Sequence, residues 1–335
     1  QSGAIGSGTL ATSLAVQVSG SPVLNGTQWT NNGTLDLTGA GTLVFTNGAL
    51  LTNAAAATLT LGSSAATVFV YGGGAAGHVV NQGALVQQAA GAHAVDANVA
   101  FDNQGNVQVA AGTLQLASGA DAGSYALASG TTLQYTGGTR TVGSGTSYTG
   151  TGSTLLLSGA TVNVTNPLSI AQPAVVLSAG SLGGAGSITL SAPFTLSGGA
   201  VTGTLTTSGA TQISGSPQLA GGNWSNSGVL GIQGSGALVF TNGGHFTNLA
   251  AGTVNLNSSA AEPVTYGGGA AGTFDNLGLV TQNAAGAHGM NANVTFNQSA
   301  TVHVTAGSFV PNNGTDSGAT YTLDAGTHVD YTSGT

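Results

Sequence analysis

The sequence predicts an all-β fold, a parallel β-helix (β-solenoid) with coils of about 22 residues. Three observations predict it: a long internal repeat, a shorter beat inside that repeat, and apolar alternation broken by Gly-rich turns with no helical period.

Residues 19–123 align without a gap on residues 214–318, an offset of 195, with about half the positions identical. The phrase SGSPVLNGTQW, ending at Trp29, returns as SGSPQLAGGNW, ending at Trp224. LVFTNG at 43–48 returns at 238–243, YGGGAAG at 71–77 returns at 266–272, and AAGAH closes on His93 and again on His288. After a one-residue insertion, Tyr135-Thr136-Gly137-Gly138-Thr139 meets Tyr331-Thr332-Ser333-Gly334-Thr335. Residues 1–195 therefore form one long unit and 196–335 a second, truncated one, expected to run on as one continuous solenoid within a longer array.

The shorter beat is a large apolar residue, then Asn two positions later, then Gly or Ala, then alternating apolar residues. It starts at Trp29, Leu51, Val79 and Phe101, with intervals of 22, 28 and 22, and Trp224, Phe246, Phe274 and Phe296 repeat the same intervals. Alternation of the Leu-x-Leu kind marks strands, and the intervening GSS, GGG and SGA clusters mark turns. Strands recurring at this spacing without crossover helices fit stacked coils, whose strands pair about 4.8 Å apart. The 28-residue interval is expected to hold a loop bulging from one coil. The candidate exposed loop is Tyr71, Gly72, Gly73 and Gly74, with Tyr266, Gly267, Gly268 and Gly269 in the second unit.

Asn31, Asn53, Asn81 and Asn103 share one phase of the beat, as do Asn226, Asn248 and Asn276, with Gln298 completing the series. Stacked coils would set these amides above one another in a hydrogen-bonded ladder, and Asn also tolerates a left-handed turn conformation.

Composition narrows the chemistry. One Lys or Arg against nine Asp or Glu gives a net charge of −8, and only 3% of residues are charged, so Ser, Thr, Asn, Gln and Gly must keep the surface wet. Arg140 alone cannot neutralise a nucleic-acid backbone or anchor the chain to anionic lipid, and no apolar run suits membrane insertion. Zero Cys excludes disulfides, thiol nucleophiles and Cys-ligated zinc.

The acids are scattered, and most are replaced between units: Asp36 by Gly231, Asp96 by Asn291, Asp102 by Asn297. Only Asp121 and Asp316 correspond, each in an Asp-x-Gly phrase expected to be a turn. His93 and His288 correspond, whereas His78, His245, His303 and His328 do not. Tyr71-Gly72-Gly73-Gly74 lacks the Lys and the helix of a phosphate cradle. No catalytic residue, cofactor or metal site is expected, and Trp29 and Trp224 are expected in the core.

The phrases GTLVFTNG, FTNLAAGTVNL, GTLQLASGADAGSY and GTTLQYTGG resemble the repeat phrases of large bacterial surface and secreted proteins. These are the filamentous haemagglutinin-like adhesins and the autotransporter passengers with β-strand repeats. The resemblance implies a right-handed β-helix exported to the cell surface or beyond it, serving as fibre, stalk or adhesin. The expected function is thus a non-catalytic extracellular structural segment that associates head to tail or laterally with itself or with neighbouring repeats. The alternatives are an adhesin that binds glycans or surfaces and, less favoured, a carbohydrate-active β-helix enzyme.

Overall fold

A computed structural model describes residues 3–331, so the closing match at 332–335 lies outside the described residues. Among the described residues every regular element is a β-strand, and the strands pair in parallel. They form two compact units, one of residues 3–166 with 172–174, the other of residues 167–171 with 175–331. This division falls ahead of residue 195, where the sequence repeat closes.

In the first unit the coils lay down one short strand on each of three faces, until Thr154–Val164, which runs on from the third face to the first. One coil runs through Thr27–Asn31, Thr34–Leu37 and Leu43–Thr46, the next through Leu50–Asn53, Thr58–Leu61 and Thr67–Gly73, the next through Gly77–Asn81, Ala84–Gln87 and Ala92–Val95. The beat residues stack in register, Trp29 on Leu51, Leu51 on Val79 and Val79 on Phe101. On the second face Leu35 and Leu37 lie under Leu59 and Leu61, and Leu85 follows over Leu59, all buried. Alternation sends these side chains inward and the intervening Thr, Asp and Val outward. Each buried Leu or Val contributes about 1.5–3 kcal/mol.

The Gly two positions after Asn31, Asn81, Asn103, Asn226 and Asn276 has a steric cause. A Cβ on Gly105 would lie 2.2 Å from the carbonyl oxygen of Gly83 in the coil beneath, and one on Gly83 would lie 2.3 Å from that of Ala54. The phrase Asn-x-Gly thus marks a corner where consecutive backbones touch.

The second unit repeats the scheme. One face is a seven-stranded sheet of Leu168–Ile170, Ser187–Leu190, Thr204–Thr207, Asn223–Asn226, His245–Asn248, Gly272–Asn276 and Val294–Gln298. Trp224, Phe246, Phe274 and Phe296 stack in register along it. With Phe194 and Phe309 they form an edge-to-face column whose ring centroids are 6.3, 5.3, 4.7, 5.4 and 5.6 Å apart.

The long interval differs from the expected single loop. Tyr71, Gly72 and Gly73 belong to the strand Thr67–Gly73, which pairs with Leu43–Thr46 across a bulge between Tyr71 and Gly73. Gly72 is the extra residue, and a Cβ there would sit 2.7 Å from both Val44 and Thr46 side chains. Only Gly74 lies past the strand, in the turn. The remaining extra residues are shared between the corner from Asn53 to Thr58, longer than that from Asn31 to Thr34, and the stretch from Leu61 to Phe69, longer than that from Leu37 to Leu43. Tyr266, Gly267 and Gly268 likewise lie in the strand Val264–Gly268, with Gly269 in the turn. Backbone pairing wins here because Gly lets the strand absorb one residue without a side chain to place.

Candidate functional site

The Asn residues of the beat are fully buried at the inner side of a corner. Asn31 Nδ2 donates to Asn53 Oδ1 at 2.9 Å, Asn53 to Asn81 at 2.8 Å and Asn81 to Asn103 at 3.0 Å. In the second unit Asn226 donates to Asn248 at 3.1 Å, Asn248 to Asn276 at 2.8 Å and Asn276 to Gln298 Oε1 at 2.6 Å. Each amide also ties backbone: Asn31 Nδ2 donates to Thr58 O, and Asn31 Oδ1 accepts from Gly33 N–H. Thr12 and Thr207 donate to the first amide of each ladder and accept the indole N–H of Trp29 and Trp224 at 3.1 and 3.0 Å. Both indoles are buried, so neither offers a stacking face to a sugar.

The left-handed conformation belongs to other asparagines. Asn47 and Asn242, in the two TNG phrases, have φ of 52° and 53° and are the positive-φ residues other than Gly among the described residues.

The bulged strand and its turn help line a shallow, open concavity of about 380 Å³, in which Gly72, Gly73 and Gly74 face Asn25, Thr46 and Asn47. Its lining carries no titratable side chain. Tyr71 does not reach outward; its hydroxyl donates to Gly74 O at 2.5 Å, and Tyr266 does the same to Gly269 O.

Asp121 is not a simple turn residue. It ends the strand Gly119–Asp121, is buried, and faces Arg140, whose side chain is equally sealed. Arg140 Nε donates to Asp121 Oδ2 at 2.9 Å, Nη2 donates to Asp121 Oδ1, and Nη2 also reaches Phe101 O at 3.2 Å. The hydroxyl of Tyr125 donates to Asp121 Oδ1 and that of Tyr135 to Oδ2 at 3.0 Å, while the guanidinium lies 4.8 Å from the Tyr135 ring centroid. Burial favours a neutral Arg140, but the Asp121 carboxylate outweighs it and holds the guanidinium well above its ordinary range. Burial first, and Asp121 second, push Tyr125 and Tyr135 well above the phenol range. A sealed, fully paired cluster of this kind binds nothing from solvent; it fixes the coil.

Histidines are tied as well. His78 Nε2 lies 2.8 Å from Asp102, His245 Nε2 2.7 Å from Asp275 and His303 Nε2 3.0 Å from Asp324. The geometry recurs: His78 is in register with Ala100, His245 with Thr273 and His303 with Thr322, and the Asp stands two residues further on. His93 and His288 are buried corner staples, with Nδ1 at 2.8 and 2.7 Å from Ala65 O and Ala260 O and Nε2 at 2.9 and 2.8 Å from Ala90 O and Ala285 O. The AAGAH phrase repeats because one of its own carbonyls, with one from 28 residues earlier, holds its imidazole.

The hydrogen bond to Asp102 raises His78 above its ordinary 6.5 despite partial burial. Burial pushes Asp102 up, but hydrogen bonds from His78 and from Ala120 N–H outweigh it and hold the carboxyl below 3.8. The raised imidazole adds stability that is complete below about pH 6.5 and lost as pH climbs through its folded value. The lowered carboxyl adds stability that is complete above about pH 3.8 and lost as pH falls through its folded value. The pair therefore supports its unit most between about pH 4 and 6.5, modestly, since both side chains keep solvent access. Thermal midpoints of the native chain and His78→Asn should differ most near pH 5.5 and converge by about pH 9; a pH-independent difference would contradict this.

Among the described residues no group of three or more His, Cys, Asp or Glu is arranged to hold a metal ion, and no helix is long and apolar enough to cross a membrane. The fold and these buried contacts define a class of protein, the repeat β-solenoid. Protein-family models, curated proteins and solved structures offer no match to the chain.

Proposed function

We propose that the chain is a non-catalytic, extracellular or cell-surface structural segment, part of a bacterial fibre or stalk that associates with neighbouring repeats or with copies of itself. One observation carries this reading: the buried polar groups of a coil find their partners in the next coil at the same position, as along Asn31, Asn53, Asn81 and Asn103. Such a coil is completed by another like itself, and a scaffold of this kind grows by adding coils. The near absence of charge, 3% of residues, supports close association without like-charge repulsion. The resemblance of the repeat phrases to exported β-helical surface proteins supports the location. The adhesive alternative loses its two indole platforms, because Trp29 and Trp224 are buried.

Sedimentation velocity across protein concentration tests the association. Sedimentation coefficients that rise with concentration and change little between low and high salt are expected, with end-to-end or lateral assemblies visible by electron microscopy. A monodisperse monomer at the highest concentration, at every salt, would remove self-association from the reading.

A further inference from the structure

Both long units carry one cluster of a carboxylate and two tyrosines, and in the first unit it is buried around Arg140. With the one-residue insertion, Asp121, Tyr125 and Tyr135 correspond to Asp316, Tyr321 and Tyr331. The second copy is assembled in the same way: Tyr321 OH donates to Asp316 Oδ1 and Tyr331 OH to Oδ2, both at 2.9 Å, as Tyr125 and Tyr135 do on Asp121. The backbone beneath matches too. Asp316 bridges Gln298 as Asp121 pairs with Asn103, and Phe296 N–H donates to Asn313 O as Phe101 N–H donates to Ser118 O. A Cβ on Gly314 would strike Phe296 O at 1.8 Å, and one on Gly119 would strike Phe101 O at 1.9 Å.

What differs is the guanidinium. In the first unit the strand Thr139–Val142 lies parallel to Gly119–Asp121, with Arg140 opposite Gly119, and carries the cation onto the carboxylate. Arg140 is the chain's one basic residue other than His and is buried against Asp121, so nothing in the 335 residues can fill the second copy. At the second copy the matching side chains lie at the surface. Tyr331 is 61% exposed where Tyr135 is 0%, and Leu323 is 47% exposed where its counterpart Leu127 is 4%. A carboxylate that accepts from two phenols, with apolar surface beside it, has the chemistry of a guanidinium receptor.

We propose that Asp316, Tyr321 and Tyr331 form an acceptor site for an arginine guanidinium carried on an extended strand of the Thr139–Val142 kind, supplied from outside these 335 residues. The strand pairs with the backbone of Gly314-Thr315-Asp316, the guanidinium forks onto the two Asp316 oxygens, and the following coil covers Leu323. Lysine would not substitute, because a point charge cannot bridge both oxygens while stacking on the Tyr331 ring. This inference stands independently of the fibre reading, since it needs only one strand and one site.

The test extends the full chain at Thr335 with a copy of residues 140–166, in one version unchanged and in the other with Arg140→Gln in the copy. Hydrogen exchange of the amides between Asp316 and Leu323 is then followed by mass spectrometry. The arginine extension is expected to slow exchange by about tenfold or more relative to the glutamine extension, and Asp316→Asn in the arginine-extended chain should return it to the glutamine level. Equal protection by both extensions would mean that any coil covers the site and would overturn the proposal. So would no protection by either extension, or indifference to Asp316→Asn.

Discussion

Replacing Arg140 by Met should destabilise the first unit by about 3–5 kcal/mol, the range for removing one partner of a buried ion pair. Asp121 would keep its two tyrosine donors but lose the charge that makes its ionised form tolerable at zero exposure. The Phe101 carbonyl would lose a donor as well. The size of the effect comes from the orphaned carboxylate, not from the worth of the pair. Asp121→Leu combined with Arg140→Met should therefore recover most of the loss, since an apolar pair of similar volume is often no worse than a buried salt bridge. The chain has two tryptophans, so in a Trp224→Phe background the fluorescence of Trp29 reports the first unit alone. Denaturant midpoints for the single and double variants decide it: a loss below about 1 kcal/mol in Arg140→Met would mean that water replaces the guanidinium at little cost.

The coil was legible because a solenoid writes its register into the sequence. Trp29, Leu51, Val79 and Phe101 recur as a beat since each stands on the last, and Asn31, Asn53, Asn81 and Asn103 recur since each amide bonds the next. The charged contacts were hidden for the same physical reason. Asp102 and His78 meet because their coils are adjacent, 24 residues apart, and comparison at an offset of 195 cannot reveal that. A search at the coil spacing, two residues past register, would have found His245 with Asp275 and His303 with Asp324 as well. Asp121 gave a signal that Asp-x-Gly obscured: with Asp316 it marks the one acid position kept in both units, and the tyrosines that bind it are kept with it. The Tyr-Gly-Gly-Gly run misled because Gly supports a loop and a strand bulge alike. Only the Val44 and Thr46 side chains against Gly72 separate the two.

Phe274→Ala should cost the second unit about 3–5 kcal/mol, as for other buried rings. Phe274 sits mid-column, edge to face with Phe246 at 4.7 Å and with Phe296 at 5.4 Å, and truncation leaves both neighbours facing a void. The informative variant is Phe274→Val, which installs the residue that Val79 supplies at the same position of the first unit. If the coil alone set the requirement, the exchange would be mild. But Val79 stands between Leu51 and Phe101, an aliphatic and a ring, whereas Phe274 stands between two rings spaced for a third. The valine should therefore cost nearly as much as the alanine, about 2–4 kcal/mol, because the neighbours cannot close on it without moving strands held by the Asn248 and Asn276 ladder. In a Trp29→Phe background Trp224, two rings up the same column, reports the change. A valine variant within about 1 kcal/mol of the native chain would show that the two units' cores are interchangeable residue by residue.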